Sequence, residues 1–301
     1  MKKFIKIILM TILIVSFITS ACNKGNVWNK LNADFCRLYQ QGRYSEAMKT
    51  AEEALEVAKK MYEPYHPNVA TSLNNLGTLY LSKHQYNEAE SLLKKALEIY
   101  EKAQVKNHPD LALCLNNLAG LYNVQGRLAE AEPLHKKALE IREKIYGKDH
   151  IYVTQSLYNL ANLYCDQGKY TKAELFCKRT LEIREKKLGK DNIKVANPLI
   201  TLGEIYRYQG KDIKAEPLYK RAKEIIEKKL GQDHPNMVMP LYNLGLLYFS
   251  QGKYKEAESF FTKALGVTEK AFGKDHPTAT FIQGNMAKLY EKVEEKDDIN
   301  K

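Results

Sequence analysis

From about Val27 onward, apolar residues recur at spacings of three and four. Leu115, Leu118, Ala119 and Tyr122 mark one face of an α-helix. Gln125-Gly126-Arg127 breaks the pattern, and Ala131, Leu134, Ala138, Leu139 and Ile141 resume it. Gly147 then closes the second segment as a C-cap. Alternation with period two is absent, which excludes a β-propeller blade of similar length. The predicted unit is a helix–turn–helix hairpin.

That hairpin is copied along the chain. Gly42, Gly126, Gly168, Gly210 and Gly252 fall on a 42-residue grid, with His84 at the vacant node. Tyr80, Tyr122, Tyr164, Tyr206, Tyr248 and Tyr290 share the period, as do Ala47, Ala89, Ala131, Ala173, Ala215 and Ala257. Three registers with one period predict an all-α repeat array. The count is about six hairpins and a single last helix around Thr278–Val293. The first copy, Trp28 to Tyr65, is degenerate, with Asp34 and Phe35 where later copies carry Leu and Gly or Ala. Atypical end copies are expected, because they face water on one side. Pro198 and Pro240 occupy one register near the start of two first helices, which predicts a late start or a slight kink there.

The string Leu118-Ala119-x-x-Tyr122, Gly126, Ala131, Ala138 resembles the tetratricopeptide repeat, whose usual period is 34. Eight further residues fall in a longer second helix and the loop carrying Gly-Lys-Asp-His. In that respect the chain resembles the repeats of kinesin light chains and their bacterial relatives. Leu73-Asn74-Asn75-Leu76 and the run from Ala131-Glu132-Pro133-Leu134 to Lys144 carry the likeness, which extends over residues 28–301. It implies a right-handed superhelical solenoid of stacked hairpins with a C-terminal capping helix and a concave groove lined by first helices.

The residue before each packed Leu then points into that groove. It reads Asn75, Asn117, Asn159, Thr201, Asn243 and Asn285. Asn is a mediocre helix-interior residue, because its side chain competes for backbone hydrogen bonds. Its recurrence requires a reason. A ladder of carboxamides offers donors and acceptors to the backbone of an extended peptide. The family resemblance implies that groove role for the five asparagines. The same amides are equally suited to bonding between neighbouring helices, and the two roles are compatible. Further groove candidates are Asn74, Asn116, Tyr158, Ile200 and Tyr242 one place earlier, and Thr78, Gly120, Asn162, Glu204 and Leu246 three places later. Tyr158, Tyr208, Tyr242 and Phe249 make the C-terminal half richer in aromatic anchors.

Residues 1–22 differ from the rest. Lys2, Lys3 and Lys6 precede an apolar run from Ile7 to Ile18, and Thr19-Ser20-Ala21 leads to Cys22. That order is a secretory signal, and its apolar run is too short for a comfortable membrane span. Thr19-Ser20-Ala21-Cys22 resembles a bacterial lipobox, with Thr19 departing from the favoured Leu. The resemblance implies a signal peptide over 1–21, a lipidated Cys22, a linker over 22–27 and a repeat array over 28–301. It places the chain in the cell envelope, and in a diderm bacterium Asn23 points to the outer membrane, facing the periplasm.

The net charge of +11 is spread along the chain, with no basic stripe interleaved with stacking aromatics, so it reads as a solvated surface rather than a nucleic-acid footprint. Cys36, Cys114, Cys165 and Cys177 do not follow the period and read as small apolar fillers rather than bridges. His66, His108, His150, His234 and His276 do follow it. Adjacent copies roughly 10 Å apart cannot share one zinc ion, whose ligands each approach to about 2 Å. His-Pro reads instead as a helix start. No phosphate-binding loop, H-E-x-x-H or nucleophile elbow is present. The expectation is a monomeric, cofactor-free, non-enzymatic scaffold that holds a protein or peptide. The competing expectation is an assembly role in a secretion or pilus complex, exerted through outer surfaces.

Overall fold

The computed structural model describes residues 27–299, and the signal-peptide and Cys22 expectations lie outside them. The described residues form thirteen α-helices and no strand. They divide into two compact units that meet in sequence at Gln167–Gly168. The first holds α1 (Val27–Gln40), α2 (Tyr44–Met61), α3 (Pro67–Ser82), α4 (Tyr86–Lys102), α5 (Pro109–Val124), α6 (Leu128–Tyr146) and α7 (Thr154–Asp166). The second holds α8 (Tyr170–Leu188), α9 (Ile193–Tyr208), α10 (Asp212–Leu230), α11 (Val238–Ser250), α12 (Tyr254–Phe272) and α13 (Pro277–Ile299). Within each unit, helices adjacent in sequence pack on one another, and successive first helices also touch: α3 with α5, α5 with α7, and α9 with α11.

The punctuation explains why these segments are helices. His66, His108, His150, His234 and His276 each stand at an N-cap, where Nδ1 accepts the backbone N–H two residues on, at 3.1–3.2 Å. Asn192 does the same through Oδ1 at 3.0 Å. Each cap satisfies one of the donors that a helix start leaves open. At the other end, Gly147 (φ 85°) adopts a backbone conformation that side chains rarely tolerate. Gly126 (φ 78°) does so in the hairpin turn, and His84 holds the equivalent turn at φ 60°.

The two prolines part company. Before Pro240, a 3-10 turn over Pro235–Met237 delays the α-helix to Val238. Pro198 instead lies well inside α9, which begins at Ile193. Its missing N–H frees the carbonyl of Lys194, and the buried Arg184 guanidinium donates to that oxygen at 2.7 Å. The last helix also outruns the expected Val293, ending at Ile299.

Inside the hairpins, a small first-helix residue faces a large second-helix one. A Cβ on Gly203 would lie 2.5 Å from the Tyr219 ring, and one on Gly245 would lie 2.6 Å from the Phe261 ring. In the first unit Gly77 admits Leu93 in the same way. Junctions between hairpins use one recurrent device. Tyr122 and Tyr164 donate to Glu90 and Glu132 of the preceding second helix, and Tyr206, Tyr248 and Tyr290 donate to Glu174, Glu216 and Glu258. Lys136, together with Gln167 and Tyr164, holds the Glu132 carboxyl down to about 2, against partial burial. Among the described residues, no helix is long and apolar enough to cross a membrane.

Candidate functional site

The asparagine row divides by what each amide bonds. In the first unit Asn75 donates to Asn32 Oδ1 at 2.7 Å, and Asn117 donates to Asn74 Oδ1 at 2.9 Å and Thr78 Oγ1 at 3.0 Å. These bonds join successive first helices, so the helix-joining role is real for both residues. Asn117 keeps only its carbonyl oxygen for anything else. Asn159 is the converse: its oxygen accepts from Gln155 Nε2 at 2.8 Å, and both its amide hydrogens stay available. The Gln155 carbonyl oxygen is buried without a partner. In the second unit the buried Asn243 donates to Glu204 at 2.9 Å, and Asn285 donates to its own helix at the Phe281 carbonyl, also at 2.9 Å.

The row one place earlier is not accessible. Asn74, Asn116, Tyr158, Ile200 and Tyr242 are at most 5% exposed. A shift of one residue rotates a side chain by about 100° about the helix axis, which turns these groups into the packing between helices. Asn116 accordingly bridges His135 Nδ1 at 2.8 Å and Ser156 Oγ at 3.0 Å. Tyr242 packs against Phe261 and Phe281.

The partly exposed line runs instead through the asparagine register and positions four before and three, six or seven after it. In the first unit it comprises Leu113, Asn117, Gly120 and Val124 on α5, with Asn159 and Asn162 on α7. In the second it comprises Asn197, Glu204 and Arg207 on α9, with Met239, Leu246 and Phe249 on α11. Sequence reasoning missed Leu113, Val124, Asn197, Met239 and Arg207. One or two helical steps of three and four from the Asn117, Thr201 and Asn243 register would have found them. Outside α9, which brings Glu204 and Arg207 to it, the line is poor in charge: α3 and α11 carry no Asp, Glu, Lys or Arg, and α5 and α7 carry one acid each, Asp110 and Asp166.

The remaining titratable groups are structural. Burial pushes the His135 imidazole down to about 3, with the nearby Arg142 acting in the same direction. Burial likewise lowers Arg142 to about 10. The Cys114 thiol is raised to about 12 by burial. Cys36, Cys114, Cys165 and Cys177 are all free thiols. Among the described residues no cluster of three or more His, Cys, Asp or Glu is placed to hold a metal ion.

The profile of the tetratricopeptide repeat matches residues 29–102, 110–186, 152–228, 194–270 and 236–298. The chain belongs to the tetratricopeptide repeat family. Among solved tetratricopeptide-like structures it is similar to BtubC (BKLC) from P. vanneervenii, at 25% identity and a TM-score of 0.63, over 78% of this chain and 94% of that one. It is also similar to the nearly identical repeats of a putative kinesin light chain from Podosopora anserina, at 24% identity and a TM-score of 0.55, over 66% and 94%. A Rap protein complexed with competence and sporulation factor shares the fold at 17% identity and a TM-score of 0.61, over 91% and 78%. The repeats are thus of the kinesin-light-chain-like type. A search of curated proteins returns no sequence match.

Proposed function

We propose that this tetratricopeptide repeat chain is a cell-envelope scaffold that holds an extended protein segment against the first-helix faces of its units. The observation that carries the reading is the Gln155–Asn159 pair. Gln155 holds the Asn159 oxygen, which leaves both amide hydrogens of this half-buried residue on α7 available to a ligand. An extended backbone presents C=O groups that match them. Asn117, fixed by its bonds to Asn74 and Thr78, adds an acceptor on α5 for backbone N–H groups. The scarcity of charge along these helices suits a ligand gripped by its backbone and by apolar side chains. That a Rap protein of the same fold was solved with a bound factor is consistent with such use. Asn75, Asn243 and Asn285 serve as positioning groups in this scheme, as do the buried Asn74, Asn116, Tyr158 and Tyr242.

The test replaces Asn117 and Asn159 by Ala and follows partner capture by crosslinking in the native envelope. The scheme expects capture to be lost while helicity is retained. Capture that survives in a correctly folded double variant removes the face as the site, and sensitivity to second-helix surface changes would assign the work to outer surfaces. The envelope location rests on the charged start, the apolar run and Thr19-Ser20-Ala21-Cys22. Mass spectrometry of the mature N-terminus tests lipid on Cys22, and a Cys22→Ser chain that stays in the membrane counts against the anchor.

A further inference from the structure

Every later first helix packs on the second helix before it, and among the described residues α1 has none. The register of Val27 shows the consequence. Val69, Leu111, Val153, Val195, Met237 and Ala279 share that register and are all buried, whereas Val27 is 60% exposed. Leu31, one turn on, is half-buried where Leu73 of the next copy is buried. Farther along α1 the uncovered side changes character, and Asp34 forms an ion pair with the exposed Arg37 at 2.8 Å. The side is thus apolar at the start of the helix and charged beyond it.

The end of α2 belongs to the same edge. The Trp28 ring meets Tyr62 edge-on at 6.4 Å, and Tyr62 stacks on His66 at 4.2 Å, which brings the start of α1 beside the loop from α2 to α3. That loop is unlike its counterparts. Tyr65 is 50% exposed and stands where Asn107, Asp149, Asp191, Asp233 and Asp275 stand in the later loops. Met61, 48% exposed, stands where α8 and α10 carry Lys187 and Lys229. The Lys102 ammonium lies 4.5 Å from the Tyr65 ring centre and donates to its hydroxyl at 3.3 Å. Exposed Lys30 and Lys60 flank the apolar groups, with Glu63 the opposing acid.

We infer that this edge, built from Val27, Leu31, Met61 and Tyr65 with Lys30 and Lys60, is a seat on the phospholipid surface. The inference rests on the reading that Cys22 carries lipid. Five residues lead from Cys22 to Val27 and span at most about 18 Å. A lipid on Cys22 therefore holds the start of α1 close to the headgroups. Tyrosine fits the boundary between headgroups and acyl chains, and lysines lay their stems along apolar surface while the ammonium reaches phosphate. The bilayer is within reach of every tethered chain at any concentration, which a second copy of the chain is not. A tether alone sets no orientation. Apolar contact beside it, with Asp34 and Arg37 left in water, orients α1 and the hairpin with it.

The probe is a photoreactive benzophenone amino acid carried by the lipidated full chain in vesicles of phosphatidylethanolamine and phosphatidylglycerol. In place of Val27, Met61 or Tyr65 it should form phospholipid adducts roughly tenfold above the yield in place of Gln41, an exposed residue in the turn at the other end of the hairpin. Tyr65→Asp with Met61→Lys installs residues that occupy those registers elsewhere in the array. It should lower the yield at Val27 by a similar factor, while circular dichroism and intact-mass spectrometry show a folded, lipidated chain. Equal yields from this edge and from Gln41 on a chain whose Cys22 is lipidated overturn the seat and leave the anchor intact, as does a yield at Val27 that the double variant leaves unchanged. Adducts to a second chain instead of lipid overturn it in favour of self-association. A mature chain without lipid on Cys22 overturns the anchor and the seat together.

Discussion

Replacing Gly203 by Ala puts the close fit inside a hairpin to a quantitative test. In an exposed helix this change stabilises by about 0.8–1.0 kcal/mol, because Gly is the poorer helix former. In α9 the new methyl carbon would stand 2.5 Å from Tyr219 Cε1 and 2.9 Å from Cδ1 and Cζ, where ordinary contact begins at 3.4 Å. A fully buried ring cannot retreat that far without moving α10. Overpacking costs typically about 1–3 kcal/mol, and contacts this short on a buried ring belong to the upper part of that range, about 2–3 kcal/mol, so the clash outweighs the helix gain and the net effect is a loss of about 1–2 kcal/mol. Gly266 in α12 meets nothing within 4 Å and provides the contrast. Gly266→Ala should stabilise by up to about 1 kcal/mol. Repeat arrays open piecewise, so urea unfolding is best accompanied by amide hydrogen exchange resolved over α9 and α10. Adding Tyr219→Cys, after the Ala161 and Cys177 that occupy these registers in the fourth repeat, should be less damaging in Gly203→Ala than alone. A Gly203→Ala chain as stable as the parent, or a double variant without coupling, refutes the reasoning.

Other expectations follow from single groups. His66→Ala removes a cap acceptor and should cost about 1 kcal/mol, while His66→Asn should cost almost nothing, since Asn192 already caps α9; thermal melts compare them. His84→Gly relieves a left-handed residue whose side chain is exposed, and the melt should shift upward by about 1 kcal/mol of stability. His135 is held neutral with a folded pKa of about 3, against about 6.5 unfolded. The unfolded chain binds the extra proton between those values, so stability is full above about pH 6.5 and falls by up to about 1.4 kcal/mol per pH unit on acidification towards 3. His135→Gln, which keeps a donor and an acceptor, should flatten that slope in urea titrations across pH.

The repeat period, the hairpin and the His-Pro helix starts were legible in the sequence, because each rests on local chemistry repeated at a fixed interval. His66 and its four counterparts needed only backbone preferences to be placed. The finer orientation was less legible. Asn74 and Asn75 are neighbours in sequence and look interchangeable, yet side-chain direction depends on how successive helices cross, which no single helix encodes. Pro198 was expected to mark a disturbed helix start, and the rescue of the Lys194 carbonyl by Arg184 comes from another helix.

The Tyr–Glu bond is the same at every junction after the first, where Met48 stands in the register of the Glu, whereas the small-against-large fit is private to each hairpin. A hairpin therefore carries its own matched interior and offers its neighbours a standard coupling. Such modules can be duplicated, deleted or reordered by recombination with little mechanical mismatch, so descendants of this chain can change length and ligand preference in whole steps rather than residue by residue.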